Sequence, residues 1–287
     1  MNGKMNRLTY LKVKDHSVSG EEFQLIFNED TEILETFPAP NEDQLSKYYK
    51  SEDYISHTDS KRNLFERVYH IIRSRALKKK LRLINSFGNE SKQLLDVGCG
   101  TGDFLKIALT DGWTVTGIEP NEQARKIANV KTNQNVFEID HLDNLKEHTF
   151  DVITLWHVLE HLPKLDTHIQ LFRKLLKPNG LLIIAVPNYK SYDAAHYKEF
   201  WAAYDVPRHL WHFSRKSINK LFQKENFTLI KTIPLIFDAY YVSLLSEKYK
   251  TGYMNPLKAF WVGLKSNYRA RHNNDYSSLI YVLKQTN

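Results

Sequence analysis

From residue 93 onward the chain alternates short apolar runs with segments whose apolar residues recur at helical spacing. The pattern predicts strands at 93–97, 113–118, 135–139, 150–155 and 181–186, and helices at 103–110, 121–129, 157–161 and 166–177. Strand–helix alternation builds a parallel sheet with right-handed crossovers. Pro178-Asn179-Gly180 is a turn that stops the fourth helix before the fifth strand. After Pro187 the rhythm breaks into a loop rich in large side chains. Ser214 then reads as the N-cap of a helix at 216–225. Strands at 227–233 and 278–284 close the sheet around a long insertion, in which Asp238 to Lys250 has an amphipathic helical pattern. Upstream, alternating runs at 23–27 and 32–37 suggest a hairpin ended by Pro38 and Pro40. A short helix at 43–49, a polar aromatic stretch at 48–57 and a basic helix at about 61–86 follow.

The expected architecture is therefore α/β: a doubly wound, seven-stranded, mostly parallel sheet with an N-terminal cap and a helical insertion before the last strand. Residues 1–60 form the hairpin and cap segment and 61–287 the main domain, which carries a loop at 188–214 and the insertion at 235–275.

The 287 residues are enough for a full core, and 42% hydrophobic with 25% charged residues is ordinary globular composition. Cys99 is the single cysteine, which excludes an internal disulfide and fits a reducing compartment. Met1-Asn2-Gly3-Lys4 leads into no apolar signal region, and no apolar run is long enough to span a bilayer. A cytoplasmic location is expected. The net charge of +7 is concentrated around Arg73, Arg75, Lys78, Lys79, Lys80 and Arg82. These residues share a segment with Leu64, Val68, Ile71, Ile72, Leu81 and Ile84 at near-helical spacing. That pattern reads as an amphipathic helix with a solvated basic face, in preference to a nucleic-acid patch, because no aromatics are interleaved for base stacking.

Candidate chemistry begins at Asp96-Val97-Gly98-Cys99-Gly100-Thr101-Gly102, where a buried strand ends in an acid and turns through alternate glycines into a helix. An open α/β sheet holds nucleotide-like ligands at this place. The spacing differs from the Gly-x-Gly-x-x-Gly of dinucleotide dehydrogenases. The second strand ends at Glu119, a carboxylate that can accept hydrogen bonds from both ribose hydroxyls of an adenosine, and the third ends at Asp140, suited to an adenine amino group. Acids on successive strand tips repel a pyrophosphate and favour a neutral or cationic ligand.

These residues, together with Gly117-Ile118-Glu119-Pro120, Phe150-Asp151-Val152-Ile153, Val158-Leu159-Glu160-His161-Leu162 and Leu176-Lys177-Pro178-Asn179-Gly180, resemble the class I S-adenosylmethionine-dependent methyltransferases. The branch is the one that contains the ubiquinone-biosynthesis O-methyltransferases. The resemblance covers about residues 90 to 187. It implies S-adenosyl-L-methionine as cofactor and S-adenosyl-L-homocysteine as product, with Gly98, Gly100 and Gly102 around the methionine part. Glu119 would then lie at the ribose, Asp140 near adenine, and Asp96 would order the loop. His157 lies at the carboxyl edge and is expected to line the pocket. Related chains often begin with a small zinc ribbon. Here the corresponding region around 16–20 and 27–30 has no cysteine, so a hairpin without metal is expected.

His157-Val158-Leu159-Glu160-His161 also has the order of an inverted zinc-protease motif, with two histidines at i, i+4 if helical. Inside this pattern Glu160 and His161 are expected to satisfy local backbone and packing needs, with no metal. Trp201-x-x-Tyr204-Asp205-x-Pro207-Arg208-His209-Leu210-x-His212-Phe213 resembles a stretch common in the same branch. It falls where that branch builds its acceptor pocket, and His209, then His212, are the candidate bases. The alternative for this stretch is a satellite aromatic core capped by histidines. The sequence thus implies methylation of an O, N or C atom on a small or lipid-like acceptor with an apolar or aromatic portion. The rivals are an RNA methyltransferase and a non-catalytic protein that only binds the cofactor.

Overall fold

The computed structural model describes residues 8–49, 64–87 and 91–286. Three strands, β1 (Leu8–Lys14), β2 (Glu22–Phe27) and β3 (Leu34–Phe37), form an antiparallel meander and are followed by α1 (Glu42–Tyr48). Helix α2 (Leu64–Asn85) leads into β4 (Gln93–Val97), α3 (Asp103–Thr110), β5 (Thr114–Ile118), α4 (Glu122–Thr132) and β6 (Val136–Phe137). Next come β7 (Phe150–Trp156), α5 (Leu165–Leu175), β8 (Leu176–Pro187), α6 (Tyr192–Tyr197), β9 (Trp211–His212) and α7 (Arg215–Lys224). The chain ends with β10 (Phe227–Pro234), α8 (Asp238–Thr251), α9 (Pro256–Asn273) and β11 (Ser278–Gln285).

The main sheet has seven strands in the order β10-β11-β8-β7-β4-β5-β6. β4 to β8 run parallel, and β11 is antiparallel to both β8 and β10. Because helices cover both faces, the central strands are apolar on both sides, and Leu94, Leu95, Val97, Ile153 and Ile183 are almost fully buried. The helices turn one stripe to the sheet: in α5, Leu165, Ile169, Phe172 and Leu175 are buried at i, i+4, i+7 and i+10. Ser214 caps α7 as expected, with its side chain accepting from the Ser217 N–H in a reciprocal capping box.

The departures from the expected pattern are local. Residues 157–161 do not form an α-helix. His157 takes φ 58° and only Leu159–His161 make a 3-10 turn. The two histidines therefore do not share a helical face, and the helical geometry of a zinc-protease motif is not present. The third parallel strand is reduced to Val136–Phe137, because a 3-10 turn at Ile139–Asn144 takes over. β8 begins before the Pro178-Asn179-Gly180 turn: Leu176 pairs with Phe150 and Leu181 with Val152, so the turn bulges out of a continuous strand.

The N-terminal meander gains a fourth strand from far along the chain. β9 pairs with β3, placing Leu34 opposite His212 and Glu35 opposite Trp211. Val13, Phe23, Leu25 and Leu34 from the meander pack with Tyr189, Tyr197, Trp201 and Tyr204 from the 188–214 loop in one hydrophobic cluster. Tyr54 and Lys61 lie outside the described residues.

Candidate functional site

In a doubly wound sheet the chain leaves β4 in one direction, towards β5 and β6, and later returns on the other side to β7 and β8. The loops that follow β4 and β7 therefore diverge, and a crevice opens between them. The glycine loop 98–102 follows β4, and residues 157–162 follow β7.

The loop is pinned to the next strand. Gly98 and Cys99 donate their N–H groups to the Ile118 carbonyl at 2.7 and 3.1 Å. Gly100 donates to Glu119 Oε2 at 2.8 Å, while Glu119 Oε1 accepts from the Asn121 N–H at 2.9 Å. Glu119 is buried, which raises its pKa, and these backbone donors act against that rise. Each carboxylate oxygen keeps a second lone pair, so the group is held in place with acceptor capacity to spare. Gly100 has φ +55° and a Cβ there would meet nothing within 4 Å. Gly102 differs: at φ +74°, its Cβ would meet Ala128 Cβ at 2.9 Å. The first glycine faces open space beside an anchored carboxylate, and the second permits α3 to lie against α4. An adenosine whose hydroxyls reach Glu119 and whose tail passes Gly100 fits this arrangement.

Asp96 closes β4, and its Oδ1 accepts from the Thr154 hydroxyl at 2.6 Å. Burial pushes its pKa to about 7, against the pull of Thr154 and Lys80. Lys80 is the residue that the sequence reading misplaced. Instead of lying on a solvated basic face, its ammonium sits 4.2 Å from the centre of the Trp156 ring. Burial draws its pKa down to about 8, opposed by Asp96 and Asp238. The signal was available in spacing, since Lys80 lies four residues before the fully buried Ile84. The strand tips are thus not purely acidic. Asp140 lies in the 3-10 turn after β6 and is exposed, next to His141, whose ring stacks on Phe137 at 4.1 Å.

His157 is held between two carboxylates, with Nδ1 3.5 Å from Glu160 Oε1 and Nε2 3.3 Å from Asp238 Oδ2. Burial alone would lower its pKa, but the two acids outweigh it and raise the value to about 10, so the ring is an imidazolium. Asp238 comes from the insertion helix α8, a partner that no local motif announces.

Glu160, His161 and His209 converge, with one ligand-capable atom from each within 4.8 Å of the others. Both Glu160 carboxylate oxygens are buried without a hydrogen-bond partner among the described residues. Burial favours its neutral form, but the His157 imidazolium beside it outweighs this and holds its pKa below the ordinary carboxylate value. His161 Nδ1 lies 3.0 Å from the Arg208 carbonyl and 3.0 Å from the Tyr49 hydroxyl. A carbonyl can only accept, so Nδ1 carries the proton and Nε2 is free. Burial takes the His161 pKa down to about 4, so the ring is neutral. By the same logic His209 donates Nδ1–H to the Ala203 carbonyl at 2.9 Å, which leaves Nε2, 4.0 Å from Asp205 Oδ2, as its unprotonated nitrogen. This trio has the donor types of a divalent-cation site.

His212 is placed differently. Thr36 donates its hydroxyl proton to the His209 carbonyl at 2.6 Å, so it accepts from His212 Nε2 at 3.1 Å. His212 joins the meander to the loop. Of the aromatics read as an acceptor wall, Tyr189, Tyr197, Trp201 and Tyr204 are core residues of the meander–loop cluster. Pro187, Tyr189, Trp201, Ala203, His209, Trp211 and His212 close together beside it and leave no room for a water molecule.

Residues 69–232 match a family described as "methyltransferase domain". A ubiquinone biosynthesis O-methyltransferase of Actinobacillus pleuropneumoniae is 34% identical over 108 residues, which is 34% of this chain and 46% of that protein. One of Histophilus somni is 35% identical over 112 residues, covering 35% of this chain and 47% of the relative. The chain thus spans about half the length of the curated relatives it matches. Among solved structures, magnesium protoporphyrin IX methyltransferase from Synechocystis aligns with TM-score 0.56 at 15% identity, over 85% of this chain and all of that one (100%). A SAM-dependent methyltransferase from Archaeoglobus fulgidus aligns at 0.51 and 18% identity, over 74% of this chain and 94% of that one. At these identities the structural likeness shows the fold.

Proposed function

The chain belongs to the methyltransferase domain family, in its class I, S-adenosylmethionine-dependent form, and from that premise we propose that it methylates a small or lipid-like acceptor, with oxygen as the attacking atom. The observation that carries the cofactor half is the Gly100–Glu119 junction: an open glycine beside a carboxylate anchored by two backbone N–H groups. When bound, S-adenosylmethionine supplies a methyl group already activated on a sulfonium. What remains for the protein is to align the nucleophile and to remove its proton.

In this proposal Glu119 holds the ribose and Asp140 the adenine edge. Gly98, Gly100 and Gly102 shape the loop around the amino-acid tail, and Asp96 fixes the end of β4. His157, an imidazolium tied to α8, walls the pocket and cannot itself accept a proton. His209 is the base: its Nδ1 proton is held by the Ala203 carbonyl, so Nε2 presents a lone pair to an acceptor hydroxyl. The ionised Glu160 next to it balances the charge that develops when the proton is taken. His212 is assigned to the sheet junction, since its Nε2 is engaged by Thr36. Support for the oxygen acceptor comes from the names of the two relatives.

The test is calorimetry with S-adenosylmethionine. Glu119→Ala removes two charge-assisted acceptors and should weaken binding by about 2 kcal/mol, on the order of thirtyfold. Wild-type affinity in that variant would remove Glu119 from the cofactor site.

A further inference from the structure

Helix α9 is built inside out. Its buried residues are small: Ala259, Val262, Gly263, Ser266, Asn267 and Ala270. They let it lie close on α8, where a Cβ on Gly263 would come within 2.7 Å of Tyr240 Cδ1 and 3.0 Å of its Cα. The large apolar residues point away from the protein. Leu257, Phe260, Trp261, Leu264 and Tyr268 fall at i, i+3, i+4, i+7 and i+11, which is one stripe. Leu257 is 77% exposed, Trp261 64% and Tyr268 61%. Tyr253 and Met254, also exposed, extend the stripe into the preceding turn. The helix carries Lys258, Lys265, Arg269 and Arg271 and has no Asp or Glu. Lys258 pairs with Glu247 at 3.3 Å, while Lys265 and Arg269 lie over the Tyr192 ring at 5.2 and 4.6 Å.

We propose that α9 docks this protein onto an anionic lipid surface. The helix would lie in the interface plane, with Leu257, Trp261, Leu264 and Tyr268 in the boundary between headgroups and acyl chains and its cations at the phosphates. The occupant is chosen by charge. A second copy seated through the same patch would oppose that patch to itself, cation against cation, with no acid on the helix to pair. A cationic helix with a Trp- and Tyr-bearing apolar stripe has the composition of an interfacial helix. No described helix is long and apolar enough to cross a membrane, so α9 lies on the surface. The docked element is continuous with the candidate site, because α8, on which α9 packs, supplies Asp238 to His157. The proposal rests on this helix and stands whether or not the acceptor named above is correct.

The experiment is flotation of the whole chain with vesicles of phosphatidylcholine alone or mixed with phosphatidylglycerol, followed by tryptophan emission. Binding to the mixed vesicles, weakened by salt, is expected, with a blue shift from Trp261. Leu257→Ser/Trp261→Ser should lower binding by at least about tenfold. Each of Lys265→Gln and Arg269→Gln should lower it about fivefold. Thermal melting of the serine variant should match wild type, because the replaced side chains are exposed. Failure to bind mixed vesicles, equal binding to both compositions, or wild-type binding by the serine variant would overturn the proposal. So would a vesicle-free dimer in sedimentation velocity that Trp261→Ser dissociates, since it would assign the face to a second copy.

Discussion

Gly100 and Gly102 provide a paired perturbation, because both have positive φ but face different surroundings. Replacing either with alanine forces a Cβ into left-handed backbone, which costs roughly 1–2 kcal/mol. At Gly100 this should be the whole cost to folding, since the new methyl meets nothing within 4 Å. At Gly102 the methyl meets Ala128 Cβ at 2.9 Å and its Cα at 3.0 Å, both in α4. Backbone cannot move aside as a flexible side chain can, so an overpacking cost of about 1–3 kcal/mol adds to the strain. The expected losses are therefore about 1–2 kcal/mol for Gly100→Ala and about 2–5 kcal/mol for Gly102→Ala. Cofactor binding should follow the opposite order among folded molecules. The Gly100 methyl occupies space assigned to the methionine tail, and the same overpacking range corresponds to about five- to 150-fold weaker binding. The Gly102 methyl points into protein and should change affinity less. Urea denaturation and calorimetry with S-adenosylmethionine measure the two quantities separately. Wild-type affinity in Gly100→Ala would place the cofactor elsewhere, and equal stability of the two variants would refute the packing argument.

Three further outcomes follow from the site. His209→Gln should lower turnover on the acceptor while leaving cofactor affinity intact, and steady-state rates unchanged from wild type would remove His209 from the chemistry. His161 binds its proton at about 4 when folded against an ordinary 6.5, so the unfolded chain holds the extra proton in that window. Its contribution makes stability rise with pH there, by up to about 1.4 kcal/mol per unit; urea titrations across the window should show that slope reduced in His161→Asn, and parallel curves would contradict it. Arg208→Ala removes the cation from the fully buried carboxylate of Asp15, which keeps donors from Ser17, Val18 and Ser19, and should cost about 1.5–3 kcal/mol in the same assay, a loss below about 1 kcal/mol being the contrary result.

Much of the main sheet is legible because its strands are buried on both faces. Gln93–Val97, Phe150–Trp156 and Ser278–Gln285 read as apolar runs bounded by turn residues, and each forms within a residue or two of the expected limits. The glycine loop and Glu119 are legible because each follows a strand of one βαβ unit, whose parallel pairing brings the two strand tips together. The remainder depends on contacts distant in the chain. β9 is only two residues long and owes its pairing to β3, far upstream. α9 escapes the pattern because its small residues face inward and its large ones outward, the reverse of what a hydrophobic stripe conveys. His157 looked like a pocket residue, but its charge is set by Asp238, which lies far from it in the chain.

The N-terminal meander acquires a purpose from these distant contacts. A candidate base must be held to within a fraction of an ångström, and an irregular loop such as 188–214 cannot do that by itself. The residues on either side of His209 are both fixed. Arg208 donates from Nε and Nη2 to the Asp205 carboxylate at 3.0 and 2.7 Å, and from Nη2 to Asp15 Oδ1 and Nη1 to the Tyr48 carbonyl, each at 3.0 Å. Burial favours the neutral form of Asp15, but Arg208 outweighs it and holds that carboxyl well below its usual range. Leu210 donates its N–H to the Glu160 carbonyl at 2.8 Å and accepts from the Thr36 N–H at 3.0 Å. The Thr36 hydroxyl also binds the carbonyl of His209 itself. One segment from the meander and one from the end of β7 thus clamp three consecutive loop residues. The N-terminal sheet therefore acts as the rigid support of the loop, and the position of His209 relative to the Glu160 carboxylate is set by residues that precede it by more than 150 positions.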